Sequence, residues 1–184
     1  AFIEGNIASY LALGTEMHAV WAMLLGNFLS TRAGEAAAGA TTFLFFPLLL
    51  AAVFGWAREL EISRRWSLVA VLMVAAIPTA FHVASSAYID LSLALYITLA
   101  CYSLTRWWRT LATGSLVMVA IFLGGALAVK LTTVFVIAAF VLVILMRARE
   151  RKDEQAGSLR SGNSGKVVLA GFSALMLAGV IASP

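Results

Sequence analysis

Few residues of this chain carry charge. Of its 184 residues, 13 are Lys or Arg and 9 are Asp or Glu, so charged side chains make up 12%, against about 25% in globular domains. Hydrophobic residues make up 62%. A water-soluble core of this size cannot hide that much apolar surface, because small domains leave much of theirs exposed. A soluble enzyme or binding domain is thereby excluded, and lipid is the solvent that fits. The net charge of +4 does not point to nucleic acid, since in a membrane chain Lys and Arg chiefly report which loops face the cytoplasm.

Other absences narrow the chemistry. Cys101 is the only cysteine, which excludes an internal disulfide and a cysteine-based metal site; mid-span, it reads as a small apolar thiol. The two histidines are His18 and His82. His82 and Asp90 are eight apart, which is no metal-ligand spacing, and Glu16 and His18, two apart on a helix, face different directions. No metal and no cofactor are expected. The chain has no phosphate-binding glycine loop, nucleophile elbow or zinc helix. It also has no repeat of about 20 to 50 residues, which leaves an internal-repeat transporter without support. It opens at Ala1 with no basic leader and closes at Pro184 as an apolar stretch finishes, so a portion of a longer protein is expected.

What is present reads as spanning helices. Crossing about 30 Å of hydrocarbon takes roughly 20 largely apolar residues. Between Glu35 and Arg58 lie 22 residues without charge; Pro47 falls inside this first span, where lipid-embedded helices tolerate it. A second, short span runs from about Ser67 to His82, ended or kinked by Pro78. Asp90 opens a third, which reaches Arg106-Trp107-Trp108-Arg109, a cluster suited to the membrane interface. The 36 residues from Leu111 to Met146 hold one charge, Lys130. A single helix there would be about 54 Å long, so two spans are expected, meeting near Gly124-Gly125 and Lys130. The glycine pair suits either close helix packing or a turn.

Residues 147–166 read as a basic cytoplasmic loop with linker composition in its second half, and residues 167–184 as the last span. Its basic residues also suit anionic lipid, although a topology signal explains them more simply. The segment 1–34 reads as outer-face and interfacial, with a helix over about 15–29. The fold class is therefore all-α and polytopic: about six transmembrane helices plus one outer interfacial helix, five of the spans within residues 35–146. Charge supports the arrangement. The loops at 58–66, 105–110 and 147–166 hold 11 of the 13 basic residues, which marks them as cytoplasmic.

That topology sends the unusual residues to the outer face: Glu16, His18, His82, Ser85, Ser86, Tyr88, Asp90 and Lys130. Ionisable groups at membrane depth are costly, so Asp90 and Lys130 are the leading functional candidates. Each also has a structural reading. Asp90 suits the first turn of its helix, Lys130 can snorkel from a helix end, and the two can neutralise each other. Ser85 and Ser86 suit capping.

Ser86-Ala87-Tyr88-Ile89-Asp90-Leu91 resembles the signature entering a span in the GT-C membrane glycosyltransferases, relatives of protein O-mannosyltransferases and aminoarabinose transferases. The Arg106–Arg109 cluster and Gly125-Ala126-Leu127-Ala128-Val129-Lys130-Leu131-Thr132 resemble the segments that follow it. Thr15-Glu16-Met17 with Leu25-Gly26 is similar to the outer helix ahead of the family's second span. The likeness runs in order over about residues 10–147. It implies a polyprenyl-phosphate-linked sugar donor, Asp90 as a second outer-face acidic residue in a catalytic role, and Lys130 as a contact to lipid phosphate. Tyr88, Glu16 and His82 join as further lipid-phosphate or substrate contacts. The family's catalytic base lies in the loop after its first span, and neither is matched here; Glu4 carries no motif that makes it a substitute. The expectation is thus the membrane region of a GT-C-like glycosyltransferase, incomplete as given. Alternatives are a non-catalytic accessory subunit of a larger membrane complex, such as a respiratory or photosynthetic one, or a small transporter. Partners expected are the bilayer, a polyprenyl-phosphate sugar and other membrane subunits. The alanine content and the resemblance point to a bacterial inner membrane.

Overall fold

A computed structural model describes residues 14–79, 82 and 90–156. Among them every regular element is a helix: α1 (Gly14–Asn27), α2 (Thr31–Glu59), α3 (Arg64–Ala75), α4 (Asp90–Thr110), α5 (Thr113–Val129) and α6 (Thr133–Ala156). The chain is an all-α membrane protein. Its surface supports this directly: Trp21, Leu24, Leu25, Trp66, Leu72, Met73, Phe135 and Leu142 are all exposed, an apolar surface far beyond what a water-soluble monomer tolerates. Its hydroxyls agree. Thr41, Thr42, Thr98, Thr105 and Thr110 each donate to a carbonyl one turn back in their own helix, which satisfies them where water is absent.

Helices α1 and α2 form a hairpin. Ser30 is the N-cap of α2, and its hydroxyl accepts the Ala33 amide at 3.1 Å, filling an orphan donor. The two helices approach closely at Gly26, where a Cβ would stand 2.7 Å from the Ala33 carbonyl oxygen. Helix α2 has 29 residues, about 43 Å. Among the described residues it is the helix long and apolar enough to cross a membrane. It matches the first expected span and passes through Pro47 unbroken.

Helix α2 ends where Glu61 turns into the left-handed region at φ 61°. The Ile62 amide reaches back to Ala57 and the Glu61 amide to Arg58, a Schellman closure in a position that favours glycine. The following α3 has only 12 residues, about 18 Å. The second span expected over 67–82 is interrupted: α3 stops before Ile77-Pro78, because the residue ahead of a proline avoids helical geometry, and helix resumes at Pro78-Thr79.

Helix α4 runs parallel to α2, since Trp56 Nε1 donates to Thr105 Oγ1 at 2.9 Å and Arg109 grips the Glu59 carbonyl and the Glu61 carboxylate. Phe46, Leu49 and Ala52 pack on Leu91 and Leu95 between them. Helix α5 returns antiparallel to α4, joined by Leu111 at φ 56°. Deeper in, Ala100, Val119, Leu123 and Phe140 tie α4, α5 and α6 together.

Three expectations change in detail. The break between α5 and α6, expected near Gly124-Gly125 and Lys130, falls at Lys130–Thr132, with the glycine pair inside α5; of the two readings of the glycines, packing holds for Gly125, since a Cβ would meet the Tyr96 ring at 3.0 Å. Trp107 is not an interfacial anchor. It is 1% exposed, packed with Leu116 and Ile144, whereas Trp108 is half-buried beneath the Arg147 guanidinium, 4.9 Å from its ring. The loop expected from Arg147 is helical as far as Ala156. Residues 157–166 and the last expected span lie outside the described residues.

Candidate functional site

At one end of the bundle three helix termini converge, and the sequence puts a rare charge on two of them. Asp90 is the first residue of α4 and Lys130 caps the C-terminus of α5. Because α4 and α5 are antiparallel neighbours, these ends meet. Lys130 Nζ donates to Asp90 Oδ1 at 3.2 Å, with the two side chains 46% and 53% exposed. Each charge also sits at the helix end of opposite polarity, carboxylate at an N-terminus and ammonium at a C-terminus, which favours both.

The turn that presents Lys130 is held from below. Its amide bonds the Ala126 carbonyl at 3.0 Å, and the buried Thr133 hydroxyl donates to the same oxygen at 3.0 Å. With φ −152° and ψ 122°, Lys130 leaves the helix in extended geometry. Its side chain is thus set at the rim rather than along the flank of α5.

The third terminus is that of α1. Thr15 and Ser92, 77 residues apart, are both buried and share a hydrogen bond of 2.6 Å between their hydroxyls. One residue earlier, Gly14 lies so close to α5 that a Cβ would stand 2.8 Å from the Ala128 carbonyl oxygen. Helix α1 thereby wedges against the first turn of α4 and the last turn of α5, two residues below Asp90 on one side and two below Lys130 on the other. These are contacts that sequence reasoning missed. Hydroxyls and glycines are common, and nothing in their spacing marks a pair so far apart.

The other expected residues distribute unevenly. Glu16 lies in the same first turn of α1 as Thr15; its Oε2 is buried and has no hydrogen-bond partner among the described residues. His18 turns back along α1, its Nδ1 2.7 Å from the Gly14 carbonyl oxygen. His82 is exposed in the connection between α3 and α4. Tyr88, like Ser85 and Ser86, lies outside the described residues. Among the described residues, Asp90 and Lys130 are joined directly.

Such an arrangement can do two things. A half-exposed carboxylate can accept a hydrogen bond from a hydroxyl, and an ammonium beside it can take up phosphate charge. An ion pair this exposed contributes only about 0.2–1 kcal/mol. Lys130 can therefore exchange Asp90 for a more highly charged partner at little expense.

Sequence comparison decides the family. The family model described as dolichyl-phosphate-mannose-protein mannosyltransferase matches residues 10–180, nearly the whole chain. The chain belongs to this family. That match covers all six described helices together with Asp90 and Lys130, and it agrees with the GT-C resemblance carried by the Tyr88–Asp90 and Gly125–Lys130 segments. No curated protein and no solved structure matches the chain.

Proposed function

We propose that this chain is the membrane region of a GT-C glycosyltransferase that uses a polyprenyl-phosphate-linked sugar. Lys130 receives the phosphate of the lipid donor, and Asp90 serves as a second acidic residue that orients the acceptor or sugar hydroxyl. The observation that carries this reading is the 3.2 Å Lys130–Asp90 pair, half-exposed at the converging ends of α1, α4 and α5. Glu16 and His82 contribute polar contacts around the entering headgroup, as does Tyr88 two residues before Asp90. The base that activates the acceptor is not assigned to any of these residues.

The chemistry follows from charge. Cleavage of the sugar–phosphate bond leaves its electron pair on a phosphate oxygen. An ammonium placed at that oxygen stabilises the leaving group more than it stabilises the intact donor. Asp90 beside it holds Lys130 in place before the lipid arrives. The basic bias of residues 58–66, 105–110 and 147–166 supports a cytoplasmic position for the opposite end. Asp90 and Lys130 then face the outer side of a bacterial inner membrane.

Transfer is the direct test. Membranes containing the protein, supplied with polyprenyl-phosphate mannose and a hydroxyl acceptor, are expected to transfer the mannose to the acceptor and release polyprenyl phosphate. Asp90→Asn and Lys130→Gln should each lower that release at least tenfold at unchanged protein level. Release unaffected by both variants would sink the assignment.

One observation favours the accessory-subunit reading. Helix α6 leaves Val134, Phe135, Leu142, Leu145 and Met146 exposed, a face suited to another membrane chain as well as to lipid. A stoichiometric partner retained through mild-detergent purification, with no donor turnover, would select that alternative.

A further inference from the structure

The end of the bundle opposite Asp90 and Lys130 holds a second feature. Between the lower half of α4 and the first turns of α5 lies a cleft of about 550 Å³, within the range of about 300–1,000 Å³ typical of small-molecule sites. Leu99, Met118 and Phe122 form its apolar wall, while Tyr102, Ser115 and Arg106 give it a polar mouth. Sixteen residues of α4 separate Arg106 from Asp90, about 24 Å along the helix, so this is not the donor site seen from another side.

Charge tells what the cleft suits. Among the described residues Arg106 is the only charged one lining it, and no acidic one does. The other arginines at this end packed around α4 are engaged: Arg109 by Glu59 and Glu61, Arg58 by the Ile62 carbonyl, and Arg147 by Glu150 and the Trp108 ring. Arg106 has no ion pair or hydrogen bond from its side chain among the described residues. A guanidinium without a carboxylate, about two turns of α4 from Leu99 in the lipophilic wall, matches a molecule with a negative head and an apolar tail.

We infer that this cleft is a binding site for an anionic glycerophospholipid of the surrounding bilayer. The phosphate sits at Arg106 with Ser115 and Tyr102 beside it, and an acyl chain lies along Leu99, Met118 and Phe122. Bound there, the lipid fills the seam between α4 and α5, the two helices whose far ends carry Asp90 and Lys130. The inference rests on the cleft and its charge, and stands whether or not the donor-site reading does.

The test uses the protein in nanodiscs of mixed phosphatidylglycerol and phosphatidylcholine, ejected into native mass spectrometry. Retained lipid should be phosphatidylglycerol, and Arg106→Gln should reduce its retention about fivefold, the effect of one basic contact at a membrane surface. Arg65→Gln, an exposed arginine at the same end, should leave retention unchanged. Phosphatidylglycerol with a photoactivatable acyl chain should label α4 and α5 around Leu99, Met118 and Phe122, and Met118→Trp should abolish that label. Equal retention of phosphatidylcholine, retention indifferent to Arg106, or labelling elsewhere would overturn the inference. So would displacement by polyprenyl phosphate at concentrations where added phosphatidylglycerol has no effect, which would assign the cleft to the donor lipid.

Discussion

Removing the hydroxyl of Thr15 should loosen the end of the bundle that holds the charged pair. Thr15→Val keeps the side-chain shape but deletes the donor–acceptor group 2.6 Å from Ser92 Oγ. Both residues are buried, at 5% and 1% exposure. Deleting one partner of a buried hydrogen bond costs about 1–3 kcal/mol, because the bond between the two groups no longer offsets the cost of taking them out of water. Ser92→Ala should fall in the same range. The double variant should cost less than the sum, since both single variants delete the same bond, and the coupling between contacting residues is expected at about 0.5–1.5 kcal/mol. Reversible unfolding in mixed micelles, followed by helical circular dichroism, gives the four free energies. Because the pair docks α1 onto α4 just below Asp90, exchange protection of the first turns of both helices should fall with each single variant. Strictly additive free energies, with unchanged protection at residues 14–18, would refute the docking role of this bond.

The lower end of the bundle allows two further tests by the same unfolding assay. Trp107→Ala empties a fully enclosed position against Leu116 and Ile144 and should cost about 3–5 kcal/mol; a loss below about 1 kcal/mol would mean that the ring faces lipid after all. Glu61→Gly relieves a left-handed backbone worth about 1 kcal/mol and loses an exposed ion pair with Arg109 worth at most about the same. Its net effect should lie within about 0.5 kcal/mol of zero, whereas Arg109→Gln, which also gives up the bond to the Glu59 carbonyl, should be clearly destabilising by about 1–2 kcal/mol.

Much of the architecture was legible because lipid permits so few solutions. A charge-free window from Glu35 to Arg58 has to satisfy its backbone internally, and α2 does so. Asp90 and Lys130 stood out because charges are scarce, and scarcity gives a lone carboxylate or ammonium its meaning. Their meeting was open in the sequence; antiparallel neighbours α4 and α5 bring it about. The missed features have equally physical causes. Trp107 and Trp108 share a sequence neighbourhood, yet adjacent residues on a helix point about 100° apart, so one fills the core while the other meets Arg147. The stretch after Arg147 looked like loop because it leaves the apolar phase, but Arg, Glu, Lys, Gln and Ala are strong helix formers and carry α6 on to Ala156. Pro78 signalled a break, and the structure adds that α3 stops ahead of it. The Thr15–Ser92 bond had no sequence signal at all, being a product of how the α1–α2 hairpin folds back.

The central claim is that Lys130 is poised for phosphate and is held in reserve by Asp90. It is tested most directly by the affinity of the purified protein for a short-chain polyprenyl phosphate, measured for the wild type, Lys130→Gln and Asp90→Asn. Lys130→Gln should weaken binding about tenfold or more, as expected for loss of a charge-assisted contact of about 1.5–3 kcal/mol. Asp90→Asn should bind the phosphate as tightly as the wild type or more tightly, because the competing carboxylate is gone, even though transfer is lost. Equal weakening by both variants, or no change with Lys130→Gln, would mean that the pair only fastens α4 to α5 and would contradict the assignment.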